Sequence, residues 1–280
     1  MNTSAPEKTR PPRSTLRRLL LLAGLTYLAC CAFIGLRQRQ FIYFPPKFDS
    51  ATVDREARLA GLTRWNSPTG QPLGWKRSSP SQPCAGQVLV IHGNGGCAFE
   101  LSHYADDVQR TAALDVYLLE YPGYADRPGK VSESSFDAAA AEALQNLPTN
   151  RPTYLLGESL GTGVSTWLAG KHPDRIAGIV LLGAYNSLAS VGQAHMPLVP
   201  VHLLLIDRFR SENYLRTYSG PVAIVVGGRD PVVPARFGRR LYQGYRGPKR
   251  LWDFPLEDHG SIMNQSPEVW SEIFEFLRKP

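Results

Sequence analysis

The pentapeptide Gly157-Glu158-Ser159-Leu160-Gly161 constrains the fold of this chain more than any other segment. A strand-like stretch, Thr153-Tyr154-Leu155-Leu156, precedes it, and Thr162 to Ala169 reads as a helix. A strand that turns sharply at a serine and enters a helix at once needs small residues on both sides of the turn. Gly157 and Gly161 have no Cβ to crowd the turn or the close approach of helix to strand. Such a turn lifts the Ser159 hydroxyl clear of the backbone, where a base can take its proton. At ordinary Gly and Ser usage, a chain of this length carries a G-x-S-x-G by chance about one time in ten. The partners of the serine therefore decide the reading.

An apolar run, Pro221 to Val226, leads into Gly227-Gly228-Arg229-Asp230-Pro231, which puts Asp230 in the loop at a strand's carboxyl end. A second run, Arg250 to Phe254, leads into Glu257-Asp258-His259-Gly260 and puts His259 in the next such loop. Serine, acid and histidine follow in that order, each just beyond a strand of one parallel sheet. That arrangement suits an imidazole that deprotonates Ser159 and a carboxylate that orients the imidazole. Asp258 adjoins His259, but adjacent side chains on an extended chain point apart, so Asp230 is the expected acid. Two backbone N–H groups are needed for a developing oxyanion. Leu160 supplies one, and Asn94, with Gly95 as the alternative, supplies the other. Asn94 belongs to His92-Gly93-Asn94-Gly95-Gly96, which follows the strand Gln87–Ile91, and His92 is expected to orient that loop. The loop lacks the glycine spacing of a phosphate cradle. His172 sits where a helix should end, and no motif surrounds His103, His195 or His202.

Four segments resemble the α/β-hydrolase superfamily over roughly residues 55–280. They are His92-Gly93-Asn94-Gly95-Gly96, Glu120-Tyr121-Pro122-Gly123-Tyr124, the pentapeptide at Ser159, and Gly228-x-x-Asp230-Pro231-x-Val233-Pro234 with Asp258-His259-Gly260. More narrowly, the chain resembles membrane-anchored, short-lid serine hydrolases, which include Bem-type proteins and eukaryotic depalmitoylating enzymes. Asp207-Arg208-Phe209-Arg210-Ser211 resembles their segment ahead of the acid-bearing strand. The resemblance implies an α/β fold with a mostly parallel eight-stranded sheet, helices on both faces and a short lid over about residues 185–220. It also implies catalytic Ser159, Asp230 and His259, with His92, Gly93, Gly157 and Gly161 in support. The chain departs from the pattern at Ala125-Asp126-Arg127, where those relatives carry a Gly-x-Ser in a loop that rims their pocket.

Leu19 to Leu36 is an uncharged apolar run of eighteen residues. As a helix it spans about 27 Å, enough for a thin hydrocarbon core. Arg17-Arg18 and Arg37-Gln38-Arg39 bracket it. No A-x-A exit follows it, and Tyr27-Leu28-Ala29-Cys30 meets a lipoprotein signal only in part, which leaves lipidation at Cys30 or Cys31 as the lesser reading. The expected order is a disordered basic segment over 1–18, an uncleaved single-pass anchor over 19–36, a linker over 37–54 and the hydrolase domain over 55–280. Five basic residues precede the span and three follow it closely, which puts the amino terminus in the cytoplasm and the domain on the far side. Phe41-Ile42-Tyr43-Phe44 is expected at headgroup level. Residues 1–47 hold eight of the 31 basic and one of the 24 acidic residues, so the remainder is neutral. A neutral domain gives no electrostatic footprint for nucleic acid. A neutral domain and a separate apolar span predict two independent modules, one for location and one for chemistry.

Strands are expected near 59–66, 72–77, 87–91, 115–120, 152–156, 176–182, 221–226 and 249–254. Ser134-x-x-Asp137 reads as a capping box opening a helix to about Leu147. Trp270, Ile273, Phe274 and Leu277 form a core-facing stripe. Cys84 and Cys97 flank a strand that covers about 16 Å, too far for a bridge, and no Cys/His spacing suggests zinc. No metal or organic cofactor is implied. The apolar stretch Met196–Ile206 either caps an acyl pocket or packs on the core. The expected activity is cleavage of an ester or thioester with an apolar acyl group. The alternatives are a peptidase, for which the lid offers only Asp207 and Glu212 to hold an amine, and a tethered binding protein with an idle triad.

Overall fold

Short, nearly continuous apolar runs recur through the chain, as strands buried on both faces require, and they assemble into one sheet. The computed structural model describes residues 13–81 and 83–279. The strands are β1 (Thr63–Asn66), β2 (Pro72–Arg77), β3 (Gly86–Ile91), β4 (Leu114–Leu119), β5 (Thr153–Glu158), β6 (Gly178–Leu182), β7 (Val222–Gly227) and β8 (Lys249–Phe254). Their order is β1-β2-β4-β3-β5-β6-β7-β8. The pairs β1–β2 and β2–β4 are antiparallel, and every pair from β4 to β8 is parallel. The helices are α1 (Arg13–Ile42), α2 (Ser50–Leu59), α3 (Ser102–Thr111), α4 (Glu133–Gln145), α5 (Gly161–Lys171), α6 (Leu188–His195), α7 (Val201–Leu204), α8 (Ser211–Tyr214), α9 (Arg236–Gly244) and α10 (Pro267–Arg278).

Successive side chains of a strand point to opposite faces, so β3 feeds two cores. Leu89 and Ile91 join Phe136 of α4, Val164 of α5 and Leu241 of α9. Val88 and Val90 join Tyr104 of α3 and Trp270 and Phe274 of α10. The eight-stranded, mostly parallel sheet with helices on both faces is the expected architecture. The chain leaves β3 for β4 and then crosses back over β3 to β5. The loops at the carboxyl ends of β3 and β5 part there, leaving the crevice in which open α/β sheets hold their sites.

Several local expectations change. The disordered segment placed at 1–18 falls largely outside the described residues, and residues 13–18 already belong to α1. Residues 37–42, placed in a linker, continue α1, and residues 50–59 form α2. Asp49 caps α2 by accepting the Thr52 N–H at 2.9 Å. Val53 and Ala57, one helical turn apart, are buried, so the first strand starts at Thr63 and not near Leu59. The cap of α4 is Ser132, not Ser134. Ser132 and Ser135 each accept the other's backbone N–H on a hydroxyl at 3.1 Å, and Asp137 lies buried inside the helix.

A further difference concerns α1, which contacts the domain instead of standing apart from it. Its carboxyl-terminal half packs along the segment that holds α6 and α7. Tyr27 donates to Leu198 O at 2.9 Å. Gln38 donates to Leu204 O at 3.2 Å and accepts from Ile206 N at 2.7 Å. Arg39 forks onto Asp207 at 2.8 and 3.2 Å. Tyr43, expected at headgroup level, is instead buried edge-on against Phe136 at 5.3 Å between ring centroids, with its hydroxyl on Asp207 at 2.9 Å. The physical reason lies in the polar side chains of this half of α1: Tyr27, Gln38, Arg39 and Tyr43 find hydrogen-bond partners on the segment from Leu198 to Asp207.

Candidate active site

Ser159 follows β5 and carries φ of 49°, in the left-handed region that L-residues avoid. That conformation costs about 1–2 kcal/mol. Three hydrogen bonds hold it: Ser159 N to Leu182 O at 2.8 Å, and Thr162 N and Oγ1 to Ser159 O at 3.0 and 2.7 Å. At about 1 kcal/mol net apiece they outweigh the strain. The flanking glycines are sterically required. A Cβ on Gly157 would stand 2.5 Å from Ser165 Oγ, and one on Gly161 would stand 2.2 Å from Ile91 O.

His259 and Asp230 come to this turn from the loops after β8 and β7. His259 Nε2 lies 3.1 Å from Ser159 Oγ, and its Nδ1 lies 2.6 Å from Asp230 Oδ2. Asp230 Oδ1 accepts the N–H groups of Val232 and Val233 at 2.8 and 2.7 Å, and its side chain is fully enclosed. A carboxylate so placed fixes the proton on Nδ1, which leaves the Nε2 lone pair for the serine O–H. Asp258 faces elsewhere. It accepts from Ser261 N and Oγ at 2.9 and 2.8 Å, and these bonds hold its carboxyl below the usual range.

Asn94 and Leu160 stand with Ser159 in the wall of one cavity. Tyr185 donates to Leu160 O at 3.1 Å, and Tyr124 donates to Asn94 O at 2.8 Å. Burial pushes both phenols up, aided by Glu133 for Tyr185 and Glu120 for Tyr124, so each remains a donor. Asn94 is also tied to the end of α1: its O accepts Phe44 N at 3.0 Å, and its Nδ2 donates to Ile42 O at 2.8 Å.

Two carboxylates that the motif reading passed over brace the same loop. Glu158 accepts Gly93 N at 3.1 Å and the Tyr104 hydroxyl at 2.8 Å. Burial and the nearby Glu158 charge keep Tyr104 a neutral phenol. Glu120 meets His92 Nε2 at 3.0 Å and Ala98 N at 2.9 Å, while His92 Nδ1 faces Gly93 O at 2.8 Å. His92 is thus fully buried between loop and carboxylate. The signal for Glu158 is its place beside the serine, in a pentapeptide whose glycines, serine and Leu160 alone carry assigned roles.

The cavity measures about 330 Å³. Apart from Ser159 and Asn94 its wall is chiefly apolar, with Ile34, Phe41 and Ile42 from α1, Leu188 and Val191 from α6, Met196, Val199, Val201, Leu204 and Leu205 from the lid, and Val232 and Val233 beside Asp230. The Met196–Ile206 stretch therefore caps the pocket. The divergent Ala125-Asp126-Arg127 does not reach the wall. Asp126 pairs with Arg64 at 2.5 Å, and Arg127 is buried on Glu120 O at 2.6 Å. Neither lid acid faces the cavity. Asp207 is held by Arg39 and Tyr43, and Glu212 lies near Arg240 and Asn186. His195 joins the wall and meets Val232 O at 2.9 Å. His103 lies near Glu100 O at 3.4 Å, His202 lines a separate polar groove, and His172 caps the end of α5.

A sequence model of the alpha/beta hydrolase fold matches residues 86–214. An uncharacterized protein of Mycobacterium tuberculosis is 33% identical over 247 residues, which cover 86% of this chain and 87% of that one. The lysophosphatidylserine lipase ABHD12 of Xenopus tropicalis is 24% identical over 247 residues, 76% of this chain and 62% of its own length. Among solved structures, an esterase of Pyrococcus furiosus matches with a TM-score of 0.59 at 15% identity, over 85% of this chain and 97% of that one. At that identity the likeness is one of fold.

Proposed function

The chain belongs to the α/β-hydrolase family, and from that premise we propose that it is a membrane-anchored serine hydrolase cleaving a carboxylic ester or thioester of an apolar acyl group. The observation that carries this reading is the unbroken series Ser159 Oγ, His259 Nε2, His259 Nδ1, Asp230 Oδ2, with spacings of 3.1 and 2.6 Å across the two hydrogen bonds. Ser159 Oγ attacks the acyl carbon while His259 Nε2 takes its proton. The N–H groups of Leu160 and Asn94 receive the oxyanion, and such preorganised donors are worth about 3–4 kcal/mol apiece in related chemistry. Collapse of the intermediate breaks the bond to the leaving oxygen or sulfur, which takes the proton from His259. Water, deprotonated by the same imidazole, then releases the acid from Ser159. Asp230 holds the imidazole throughout and stabilises its cationic form.

The apolar wall favours an acyl chain, and the esterase and lipase names among similar proteins agree with it. A peptidase holding a substrate amine is disfavoured because Asp207 and Glu212 are engaged outside the cavity. α1 contains one stretch, Ser14–Ile42, long and apolar enough to cross a membrane. The basic asymmetry around it puts the domain on the extracytoplasmic side. Protease added to intact cells then reaches the domain, and protection until lysis would reverse that topology. The chemical reading is tested by Ser159→Ala, which should abolish fluorophosphonate labelling and lower ester turnover by about four to six orders of magnitude. A mutant that still labels would remove Ser159 from the role.

A further inference from the structure

We propose that α1 is a wall of the acyl pocket as well as an anchor. The hydrocarbon chain of a membrane-resident acyl lipid lies along its Ile34–Ile42 face, with the lid tip at Leu198 immersed in the bilayer beside it. This deepens the hydrolase reading above and rests on it.

The α1 residues in the cavity wall are Ile34, Gly35, Gln38, Phe41 and Ile42. Their spacing places them on one helix face, about 12 Å long at the helical rise. Gln38 does not present an unmet polar group there, since its amide is bound to Gly35 O at 2.6 Å, to Leu204 O and to Ile206 N. Gly35 leaves room: a Cβ built on it would stand 3.9 Å from Leu204, its nearest neighbour. A longer side chain at either 34 or 35 would enter the space a substrate needs.

Depth follows from a single contact. Tyr27 donates to Leu198 O, so the lid tip is level with Tyr27. Tyr27 lies nine residues past Arg18, about 14 Å along the helix. With Arg18 at headgroup level, that is close to the middle of a hydrocarbon core about 30 Å thick. From that level along α1 toward Gln38, to which Ile206 N is bonded, the lid surface is apolar and uncovered: Leu198, Leu203 and Ile206 are 83%, 79% and 67% exposed. An exposed cluster of large apolar side chains beside a membrane helix marks a lipid contact.

The pocket has a matching polarity. Its surface-reaching residues include Phe41 and Phe44, near the level of Arg37 and Arg39, where headgroups lie. Asn94, beside Ser159, is bonded to Ile42 and Phe44 at that same end. Ile34 lies roughly two turns deeper. An acyl lipid can thus keep its polar head at the interface and its chain along the bilayer normal while its ester bond reaches Ser159.

The test uses the full chain in phosphatidylcholine nanodiscs and a series of p-nitrophenyl esters from butyryl to palmitoyl. Ile34→Trp and Gly35→Leu should lower kcat/KM for palmitoyl relative to butyryl by about tenfold or more, with the preferred chain becoming shorter. Leu36→Trp, at a position 85% exposed and outside the wall, should keep the wild-type profile. Fluorophosphonate labelling of each variant reports that it is folded. Pocket variants whose profiles superimpose on that of Leu36→Trp would overturn the wall. A second arm does not depend on turnover: Leu198→Trp, made in a Ser159→Ala background, should be quenched by phosphatidylcholine brominated on its acyl chains. Emission unaffected by bromine would overturn the immersed lid. A wild type that hydrolyses no ester and takes no label would instead bring down the hydrolase reading, and the acyl-wall inference with it.

Discussion

Asp230 and Asp258 are chemically identical, and only their surroundings separate them. Asp230 is enclosed, with three donors on its oxygens, one of them the His259 ring. Asp258 is bound to Ser261 at the opening of a short turn. Asp230→Asn should therefore lower kcat by about 10⁴, because the amide presents the wrong group to Nδ1 and removes the charge facing the imidazolium. Asp258→Asn should keep kcat within about tenfold. If Asp258→Asn proved the more damaging in folded protein, the acid would have to be reassigned. A third aspartate, Asp137, is buried in α4 with one oxygen lacking a hydrogen-bond partner. Burial, then Glu133 and Asp207, pushes its carboxyl from the ordinary 3.8 up to about 8. Between those values the folded chain binds a proton that the unfolded chain releases. Its contribution to stability therefore falls as pH rises through that window and is level above it. Asp137→Asn keeps the shape without the charge. It should stabilise the protein near pH 9 by on the order of a few kcal/mol and make little difference near pH 4. Urea midpoints of both proteins across that range would show it, and a wild type more stable than the variant at high pH would contradict it. The order Ser159, Asp230, His259 was legible in sequence because each residue follows a recognisable strand. Glu158 and Glu120 were not, because their partners Gly93, Tyr104, His92 and Ala98 come from other elements.

At the scale of elements, strands and their loops were the most readable part. A buried parallel strand is a short apolar run with few competing interpretations. Helix starts were less so. Ser132 and Ser134 both suit a cap, and only the Ser135 side chain folding back on Ser132 decides between them. Least legible was the packing of α1 on the lid. Hydropathy averages over all faces of a helix, whereas the docked face is defined by Gln38 and Arg39 meeting residues about 170 positions away. Arg39 is half exposed while its partner Asp207 is 4% exposed. Among the described residues, removing the guanidinium leaves the buried carboxylate with Tyr43 as its one side-chain partner, a worse loss than an exposed pair would suffer. A double-mutant cycle on Arg39→Ala and Asp207→Ala, read as thermal stability in detergent, should give a coupling of about 1.5–3 kcal/mol. Coupling near zero would mean that the fork does not fasten helix to lid.

At the scale of the whole molecule, a neutral domain and a basic amino-terminal segment suggest a tether and a freely separable enzyme. The contacts argue otherwise, and truncation decides between the two. Deleting residues 1–46 removes Tyr43, whose buried ring is worth about 3–5 kcal/mol by comparison with other aromatic core truncations. The same deletion strips Asp207 of both Arg39 and Tyr43. It also frees Asn94 from Ile42 and Phe44. A domain is stable by only about 5–15 kcal/mol, so these losses together are comparable with the whole. The truncated chain should be poorly soluble or labile. What folds should hydrolyse a butyryl ester at least about tenfold more slowly, because a loose Asn94 no longer presents its N–H to the oxyanion. Deleting residues 1–26 keeps Tyr27 and every α1 contact with the lid beyond it. That protein should retain fluorophosphonate labelling while its retention in membranes falls, since the remaining apolar helix is too short to span. The pair of truncations separates anchoring from folding. A chain starting at Lys47 that matched the full-length protein in stability and in butyryl turnover would restore the picture of two modules.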